Sequence, residues 1–226
     1  MISCRPASFL IGVCTLTVGC GTASPTPSAP SATPVAVRRV VVLGDSLSVS
    51  PSAAQAFPAQ LQTMIERDAL SWTVTNAGIN GDTTAGGVRR VQSLLGADVG
   101  VLVVELGAND GLAGIDPREV QRNISSIVEA ARARNISVLL CGMETLPTRG
   151  FDYVLAFHQI FPDIAQRYSI PLVPFLLRGV AFLPEMNGPD GIHPNAAGAR
   201  RIAENVWPFL DRLLLARSVI AAPVDY

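Results

Sequence analysis

Hydrophobic runs alternate with amphipathic segments along most of this chain, and together they predict strands and helices in turn. The continuous apolar runs "RRVVVLG", "DVGVLVVE" and "ISVLLC" are typical of strands that a parallel sheet buries on both faces. Segments with apolar positions three or four residues apart predict helices between these runs. Because strands that alternate with helices form βαβ units, we expect an α/β/α sandwich around a five-stranded parallel sheet.

The predicted elements cover the chain from about residue 38 to residue 216. The predicted strands are 39–43, 72–78, the apolar part of 98–110, 136–143 and 170–175. The predicted helices are 57–69, 83–96, 116–135, 151–168 and 195–216. The helix that follows Asp116 has the clearest start signals, since Asp116 can cap it, Pro117 fills its first position and Glu119 completes a capping box.

The first 37 residues lie outside this pattern. Residues 1–20 contain the apolar run "FLIGVCTLTVG", which is too short to span a bilayer and is typical of an export signal. The run ends in "TVGC", which resembles a lipobox and predicts lipidation of Cys20. The Pro-, Ser-, Thr- and Ala-rich residues 21–37 predict a tether. We therefore expect an exported lipoprotein that faces the periplasm or the exterior; a secreted soluble protein is the alternative, and residues 217–226 are expected to form a tail.

Composition and charge exclude several function classes. All 17 basic residues are arginine, which excludes a Schiff-base lysine and a P-loop lysine. The two signs of charge are interspersed, so nucleic acid is not an expected partner. Within the predicted domain the one cysteine, Cys141, lies inside an apolar run, so we expect no disulfide framework and no catalytic thiol.

Polar, glycine-rich stretches follow the first three predicted strands and precede the last helix. Parallel sheets bind ligands outside the carboxyl ends of their strands, so we expect these stretches to meet on one rim. A serine there, Ser46, needs a base to become a nucleophile. His158 lies mid-helix beside aromatics and is expected to be packed or on the surface. His193 follows Asp190 by three residues, a spacing that lets a tight turn direct the carboxylate at the imidazole.

An acyl transfer also needs donors for the developing oxyanion. The candidates are the backbone N–H of Ser46, the backbone N–H of a glycine in the second stretch, and the side-chain amide of Asn109. Both Gly78 and Gly81 stand in that stretch, and each candidate is a weak signal when taken alone.

The blocks "GDSLS", "NAGINGDT", "ELGANDGL" and "DGIHP" together resemble those of GDSL-type, or SGNH, hydrolases, most closely the bacterial periplasmic thioesterase I–lysophospholipase–arylesterase group. The resemblance covers about residues 40–215. It implies a flavodoxin-like fold, no metal and no cofactor. It also implies that Ser46 is the nucleophile, His193 the base, Asp190 its orienting carboxylate, and Gly81 and Asn109 the other oxyanion donors. Gly81 is preferred to Gly78 because it precedes Asp-Thr, as the family's glycine does.

The expected substrate is a small ester with an apolar acyl or aryl group, and a thioester is a further candidate. The expected pocket residues come from the loops after the third and fourth strands: Leu112, Ile115, Met143, Leu146, Phe151 and Tyr153. Gly111 and Gly114 are expected to let the first of these loops move. Three other functions stay open: a carbohydrate O-deacetylase, a metal-dependent phosphoesterase with oxygen and nitrogen ligands at the strand ends, and a non-catalytic ligand-binding lipoprotein. The sequence leaves the oligomeric state open.

Overall fold

Within the described residues, five parallel strands form one sheet, in the order β2-β1-β3-β4-β5. The computed structural model describes Met1 and residues 38–220, so the predicted export signal, the tether with Cys20 and residues 221–226 lie outside the described residues. The strands are β1 (Arg38–Gly44), β2 (Trp72–Asn76), β3 (Val99–Glu105), β4 (Ser137–Cys141) and β5 (Leu172–Val173). The apolar runs of β1, β3 and β4 are almost completely buried, which confirms the predicted parallel sheet.

The part of the chain that the structure describes contains six α-helices. They are α1 (Phe57–Arg67), α2 (Thr84–Leu94), α3 (Ala108–Ala113), α4 (Pro117–Arg132), α5 (Phe151–Tyr168) and α6 (Ala196–Ile220). α1 packs against α6 on one face, and α4 packs between α2 and α5 on the other. The predicted cap of α4 by Asp116 is confirmed, because the Asp116 carboxylate accepts a 2.8 Å hydrogen bond from the N–H of Arg118.

Three elements differ from the sequence prediction. The stretch "ELGANDGL" contains the short helix α3 rather than a loop alone. β5 has only two residues, because Pro171 and Pro174 flank it and neither has an N–H for the sheet. α6 continues past residue 216 to Ile220, where the Arg217 guanidinium donates to the Ser137 hydroxyl at 2.9 Å and to the carbonyl of Asn135.

The register of the sheet brings the strand ends to one edge. Gly44 at the end of β1 pairs with Glu105 at the end of β3, and Val42 pairs with Asn76 at the end of β2. Every segment that carries candidate chemistry after β1, β2 or β3 therefore leaves the sheet at the same rim. Among the described residues, no helix is long and apolar enough to cross a membrane.

Candidate active site

Ser46 is the first residue of a short 3-10 turn that directly follows β1. The turn is capped by the preceding residue, because the Asp45 carboxylate accepts a 2.9 Å hydrogen bond from the N–H of Leu47. The Ser46 hydroxyl is thus left free for another partner. Gly44 is required here, since a Cβ on it would lie 2.0 Å from the Ser48 hydroxyl and 2.5 Å from a Glu105 carboxylate oxygen.

The partner of Ser46 is His193, which comes from the other end of the domain. The Ser46 Oγ lies 2.9 Å from the His193 Nε2, and the His193 Nδ1 lies 2.6 Å from the Asp190 Oδ2. The second oxygen of Asp190 accepts from the backbone N–H groups of Ile192 and His193, both at 3.0 Å. The ring hydrogen bond, aided by these backbone donors, holds the pKa of Asp190 well below its usual range, so this carboxyl stays ionised.

The loop that carries Asp190 and His193 is fastened at both ends. The N–H of Gly188 donates to the carbonyl of His193 at 2.8 Å. The side-chain amide of Asn195 donates to the carbonyl of Asn187 at 3.1 Å, while its oxygen caps the start of α6. The imidazole is therefore held by backbone geometry as well as by its carboxylate.

The three candidate oxyanion donors lie in the segments that follow β1, β2 and β3. Within the part of the chain that the structure describes, the N–H groups of Ser46 and Gly81 donate to no other protein atom. Gly81 has a left-handed backbone, with φ +72°, which favours glycine at this position. The Asn109 amide donates to the Asp82 carbonyl at 2.9 Å and to the buried Asp45 carboxylate at 3.2 Å. Burial raises the pKa of Asp45 to about 6.

Asn109 is positioned by its neighbour in α3, the buried Asp110. One Asp110 carboxylate oxygen accepts from the N–H of Thr84 at 2.9 Å, and the other accepts from the Thr84 hydroxyl at 2.6 Å. These bonds tie α3 to the first residue of α2. For the metal-dependent alternative, the described residues bring no three His, Cys, Asp or Glu side chains together in a metal-binding arrangement.

An apolar cleft of about 170 Å³ opens beside Ser46. Its wall includes Leu47, Ala108 and Ile192, the immediate neighbours of Ser46, Asn109 and His193. Its other lining residues are Leu112, Met143, Glu144, Thr145, Leu146, Phe175, Leu177, Ala181, Phe182, Asn187 and Gly191. The cleft is therefore bounded by the same segments that carry the candidate reacting groups, and its wall is mainly hydrocarbon.

Three of the six predicted pocket residues, Leu112, Met143 and Leu146, line this cleft. The other three, Ile115, Phe151 and Tyr153, do not line it. The Tyr153 hydroxyl donates to the carbonyl of Ile115 at 2.9 Å, which ties both residues to each other on the core side. Phe151 begins α5 and is exposed to solvent. The sequence reasoning missed Phe175, Leu177 and Phe182, because they follow the short strand β5, where no wall was expected.

A family model for GDSL-like lipases/acylhydrolases matches residues 42–201. The chain belongs to this family. The esterase TesA of Pseudomonas aeruginosa is 41% identical over 182 residues, which cover 79% of this chain and 90% of that protein. An arylesterase of Vibrio mimicus is 34% identical and covers 78% of this chain and 90% of its own length. The thioesterase 1/protease 1/lysophospholipase L1 of Escherichia coli strain K12 is 35% identical, over 73% and 79% respectively.

Solved structures show the same relationship. A crystal structure of TesA matches this GDSL-family fold with a TM-score of 0.74 and 39% identity, and it covers 78% of this chain and 99% of that one. The psychrotrophic esterase EstA of Pseudoalteromonas sp., in a structure inhibited by monoethylphosphonate, also has a TM-score of 0.74. It is 26% identical and covers 79% of this chain and 99% of its own.

Arg90 is a supporting residue of this GDSL-family site that the sequence did not reveal. Its guanidinium, on α2, donates to the Asp82 carboxylate at 2.7 Å, to the Ala77 carbonyl at 2.5 Å and to the Gly44 carbonyl at 2.9 Å. One side chain thus joins the end of β1 to both ends of the loop that contains Gly81. In the sequence Arg90 is one of two adjacent arginines on a helix, and no spacing distinguishes it from a surface charge.

Glu105 is a second residue that the sequence reasoning passed over. It is fully buried at the end of β3, where it accepts a 2.5 Å hydrogen bond from the Ser48 hydroxyl and a 3.2 Å bond from the N–H of Asp45. Burial, and then the neighbouring Asp45 carboxylate, raise the pKa of Glu105 well above its usual range. Burial also raises the pKa of the Cys141 thiol. An acidic residue that ends an otherwise apolar strand, as in "VLVVE", was the available signal.

Proposed function

We propose that this chain is a serine esterase that hydrolyses carboxylic esters through a covalent acyl-enzyme. Ser46 is the nucleophile, His193 the general base and Asp190 the residue that orients the base. The observation that carries the proposal is the continuous series of hydrogen bonds from the Ser46 Oγ through the imidazole to the Asp190 carboxylate. The family membership and the names of the relatives support the same reaction class.

In the first step the His193 Nε2 accepts the proton of the Ser46 hydroxyl while the oxygen attacks the ester carbonyl carbon. The positive charge that forms on the imidazole is stabilised by Asp190, which stays ionised. The carbonyl π electrons move onto oxygen and give a tetrahedral oxyanion. When that intermediate collapses, the imidazolium returns its proton to the leaving alkoxide, and the acyl group remains on Ser46.

The oxyanion is stabilised by hydrogen bonds that are ready before the reaction begins. The N–H groups of Ser46 and Gly81 have no other acceptor within the described residues, so both are available. The Asn109 side-chain amide is the third donor. It donates to the Asp82 carbonyl at 2.9 Å and to the Asp45 carboxylate at 3.2 Å, and an incoming oxyanion competes for the hydrogen of the longer, weaker bond. The two free backbone donors contribute strongly because they need no reorganisation during the reaction.

Hydrolysis is completed when water takes the place of the alcohol. His193 accepts a proton from that water, which attacks the acyl carbon, and a second tetrahedral intermediate forms at the same donors. Its collapse returns a proton to the Ser46 oxygen and releases the carboxylic acid. The two halves therefore use the same residues in opposite directions, and no cofactor is required for the balance of atoms and protons.

The apolar cleft beside Ser46 supports acyl or aryl groups as the substrate class. Its wall offers hydrocarbon from Leu47, Leu112, Met143 and other residues, and contains one carboxylate, Glu144. A charged or sugar-like group would lose hydration there without gaining matched hydrogen bonds. Within this class we include lysophospholipid-type esters and thioesters, since relatives carry both names.

Kinetics on p-nitrophenyl esters test the proposal. The Ser46→Ala variant is expected to lose at least about 10³-fold in kcat, because the residual rate comes only from binding and the oxyanion donors. Ser52→Ala is the matched control, since this exposed serine lies on the same segment outside the site. Retained turnover by a folded Ser46→Ala protein contradicts the mechanism.

A substrate panel separates this proposal from the alternatives. Parent protein that releases acetate from O-acetylated sugars but leaves aryl and acyl esters intact would be a carbohydrate O-deacetylase. Activity that a chelator abolishes and a serine-reactive phosphonate leaves intact would indicate a metal-dependent phosphoesterase. A ligand-binding lipoprotein would turn over none of these substrates. Rates on acyl-CoA measure the thioester activity directly.

We also propose that the protein is exported and anchored through a lipid on Cys20. The proposal rests on the apolar run that ends in "TVGC" and on the uncharged tether of residues 21–37. In cells labelled with a radioactive fatty acid, the parent chain is expected to carry label and to fractionate with membranes, and Cys20→Ser to lose both. Parent protein without label in the soluble fraction would exclude the anchor.

A further inference from the structure

Phe182 combines two unfavourable features at one position. Its backbone is left-handed, with φ 62°, a conformation that costs free energy for a bulky residue. Its aromatic side chain is 78% exposed to solvent. Backbone strain of this kind persists only where the surroundings enforce it, and it concentrates at sites that contact ligands.

The surroundings that enforce this conformation are visible. The side chain of Asn187, itself only 7% exposed, donates to the Val180 carbonyl at 2.7 Å and to the Leu183 carbonyl at 2.8 Å. These two carbonyls bracket Phe182 in the chain. Because one buried amide binds the backbone on both sides of Phe182, the same hydrogen bonds that hold this turn also keep the Phe182 ring exposed.

The exposed residue Phe182 is part of the wall of the apolar cleft. The wall of the same cleft also includes Leu47 and Ile192, which directly follow Ser46 and directly precede His193 in the chain. Phe182 also borders a second, shallower groove that is lined mainly by the residues 183–191. Because Phe182 is exposed and lines both depressions, its side chain is a ridge between the cleft and the groove.

We propose that Phe182 is a specificity-determining residue that contacts the distal carbons of an acyl chain lying in the cleft. This inference rests on the esterase function proposed above and adds a preference for acyl chains that extend past the wall formed by Leu47 and Ile192. A short acyl group occupies only the wall beside Ser46. A longer chain reaches the exposed ring, and the contact removes apolar surface of both partners from water.

Chain-length dependence of kcat/KM tests this role. The substrates are p-nitrophenyl acetate, butyrate, hexanoate, octanoate and decanoate, assayed with the parent, Phe182→Ala and Phe151→Ala. Phe151 is the matched control, because it is also 78% exposed but does not line the cleft. The ratio of octanoate to acetate kcat/KM is expected to fall about 5- to 20-fold in Phe182→Ala, within the range for lost apolar contacts, and to stay at the parent value in Phe151→Ala.

Three results would overturn the inference while the esterase proposal survives. An unchanged ratio in Phe182→Ala would remove the contact with the chain. An equal fall in both variants would assign the effect to general surface hydrophobicity. An equal loss on all chain lengths, with the ratio preserved, would assign Phe182 to the support of the loop that carries His193. Failure of the proposed function is distinguishable, since the parent itself would then hydrolyse none of the five esters.

Discussion

Replacement of Arg90 by methionine tests whether one guanidinium holds the loop that carries Gly81. The change removes three hydrogen bonds, to the Asp82 carboxylate, the Ala77 carbonyl and the Gly44 carbonyl. Hydrogen bonds to charged groups contribute about 1.5–3 kcal/mol each. The Arg90 and Asp82 side chains are only 18% and 10% exposed, so water can replace only part of the lost hydrogen bonding. Loss of one partner of a buried ion pair costs about 3–5 kcal/mol. We expect the free energy of unfolding to fall by about this amount.

Urea denaturation followed by circular dichroism measures the loss, with Arg89→Met as the matched control. Arg89 is the adjacent arginine on α2, and its side chain is exposed. The Arg90→Met variant should also lose kcat with little change in KM, because the loosened loop carries Gly81 and the Asp82 carbonyl that holds Asn109. Equal stability of the two variants would refute the structural role of Arg90. A less stable variant with the parent kcat would refute its positioning role.

Three further outcomes are expected. Asn109→Ala should lower kcat by about 10²- to 10³-fold with little effect on KM, as measured by steady-state kinetics, because an oxyanion donor acts in the transition state; a change in KM alone would make Asn109 a binding residue. The raised pKa of Glu105 means that the native state binds this proton more tightly than the unfolded chain, whose carboxyl pKa is about 4.3, so stability falls as pH rises above that value. Glu105→Gln keeps an oxygen acceptor for Ser48 but cannot ionise, so it should not lose stability as pH rises. The difference in free energy of unfolding between this variant and the parent should therefore move in favour of the variant between about pH 5 and about pH 8 in urea titrations. A difference that stays constant with pH would refute the raised pKa of Glu105. Chelator treatment should leave ester hydrolysis unchanged, and lost activity would contradict the metal-free mechanism.

The elements with long, regular patterns were predictable from sequence, because each pattern extends over several turns or a whole buried strand. α5 runs from Phe151 to Tyr168, as its periodicity predicts, and the apolar run of β3 is a central buried strand. α3 was missed because six residues with a glycine among them are too few to establish a helical period. The length of α6 was underestimated, because its last turn depends on contacts of Arg217 with the start of β4 and the turn before it.

The candidate triad could be predicted because its information is local. Asp190 and His193 share one tight turn, and parallel strands bring Ser46 to the same rim by topology alone. The cleft could not be predicted as well. Its wall depends on Phe175 and Phe182, which follow the shortest strand and reach the site only through tertiary packing. The spacing of residues in the sequence does not indicate which loop packs against which strand end.

The supporting roles of Arg90 and Glu105 could not be predicted from sequence for a related physical reason. Arg90 is eight residues from Asp82, and its two carbonyl partners come from separate strand ends. Glu105 reaches Ser48 across the sheet, between the ends of β1 and β3. Both side chains act on the backbone of other segments, so their roles follow from the folded register and not from any motif.

The identity of the nucleophile is tested most directly by covalent labelling. The parent protein is treated with a serine-reactive alkylphosphonate, digested, and analysed by tandem mass spectrometry of the peptide that follows Arg39, which contains Ser46, Ser48, Ser50 and Ser52. We expect one adduct, on Ser46, in proportion to lost ester hydrolysis, and much slower labelling in His193→Ala. An adduct on another serine, or full activity with Ser46 labelled, would contradict it.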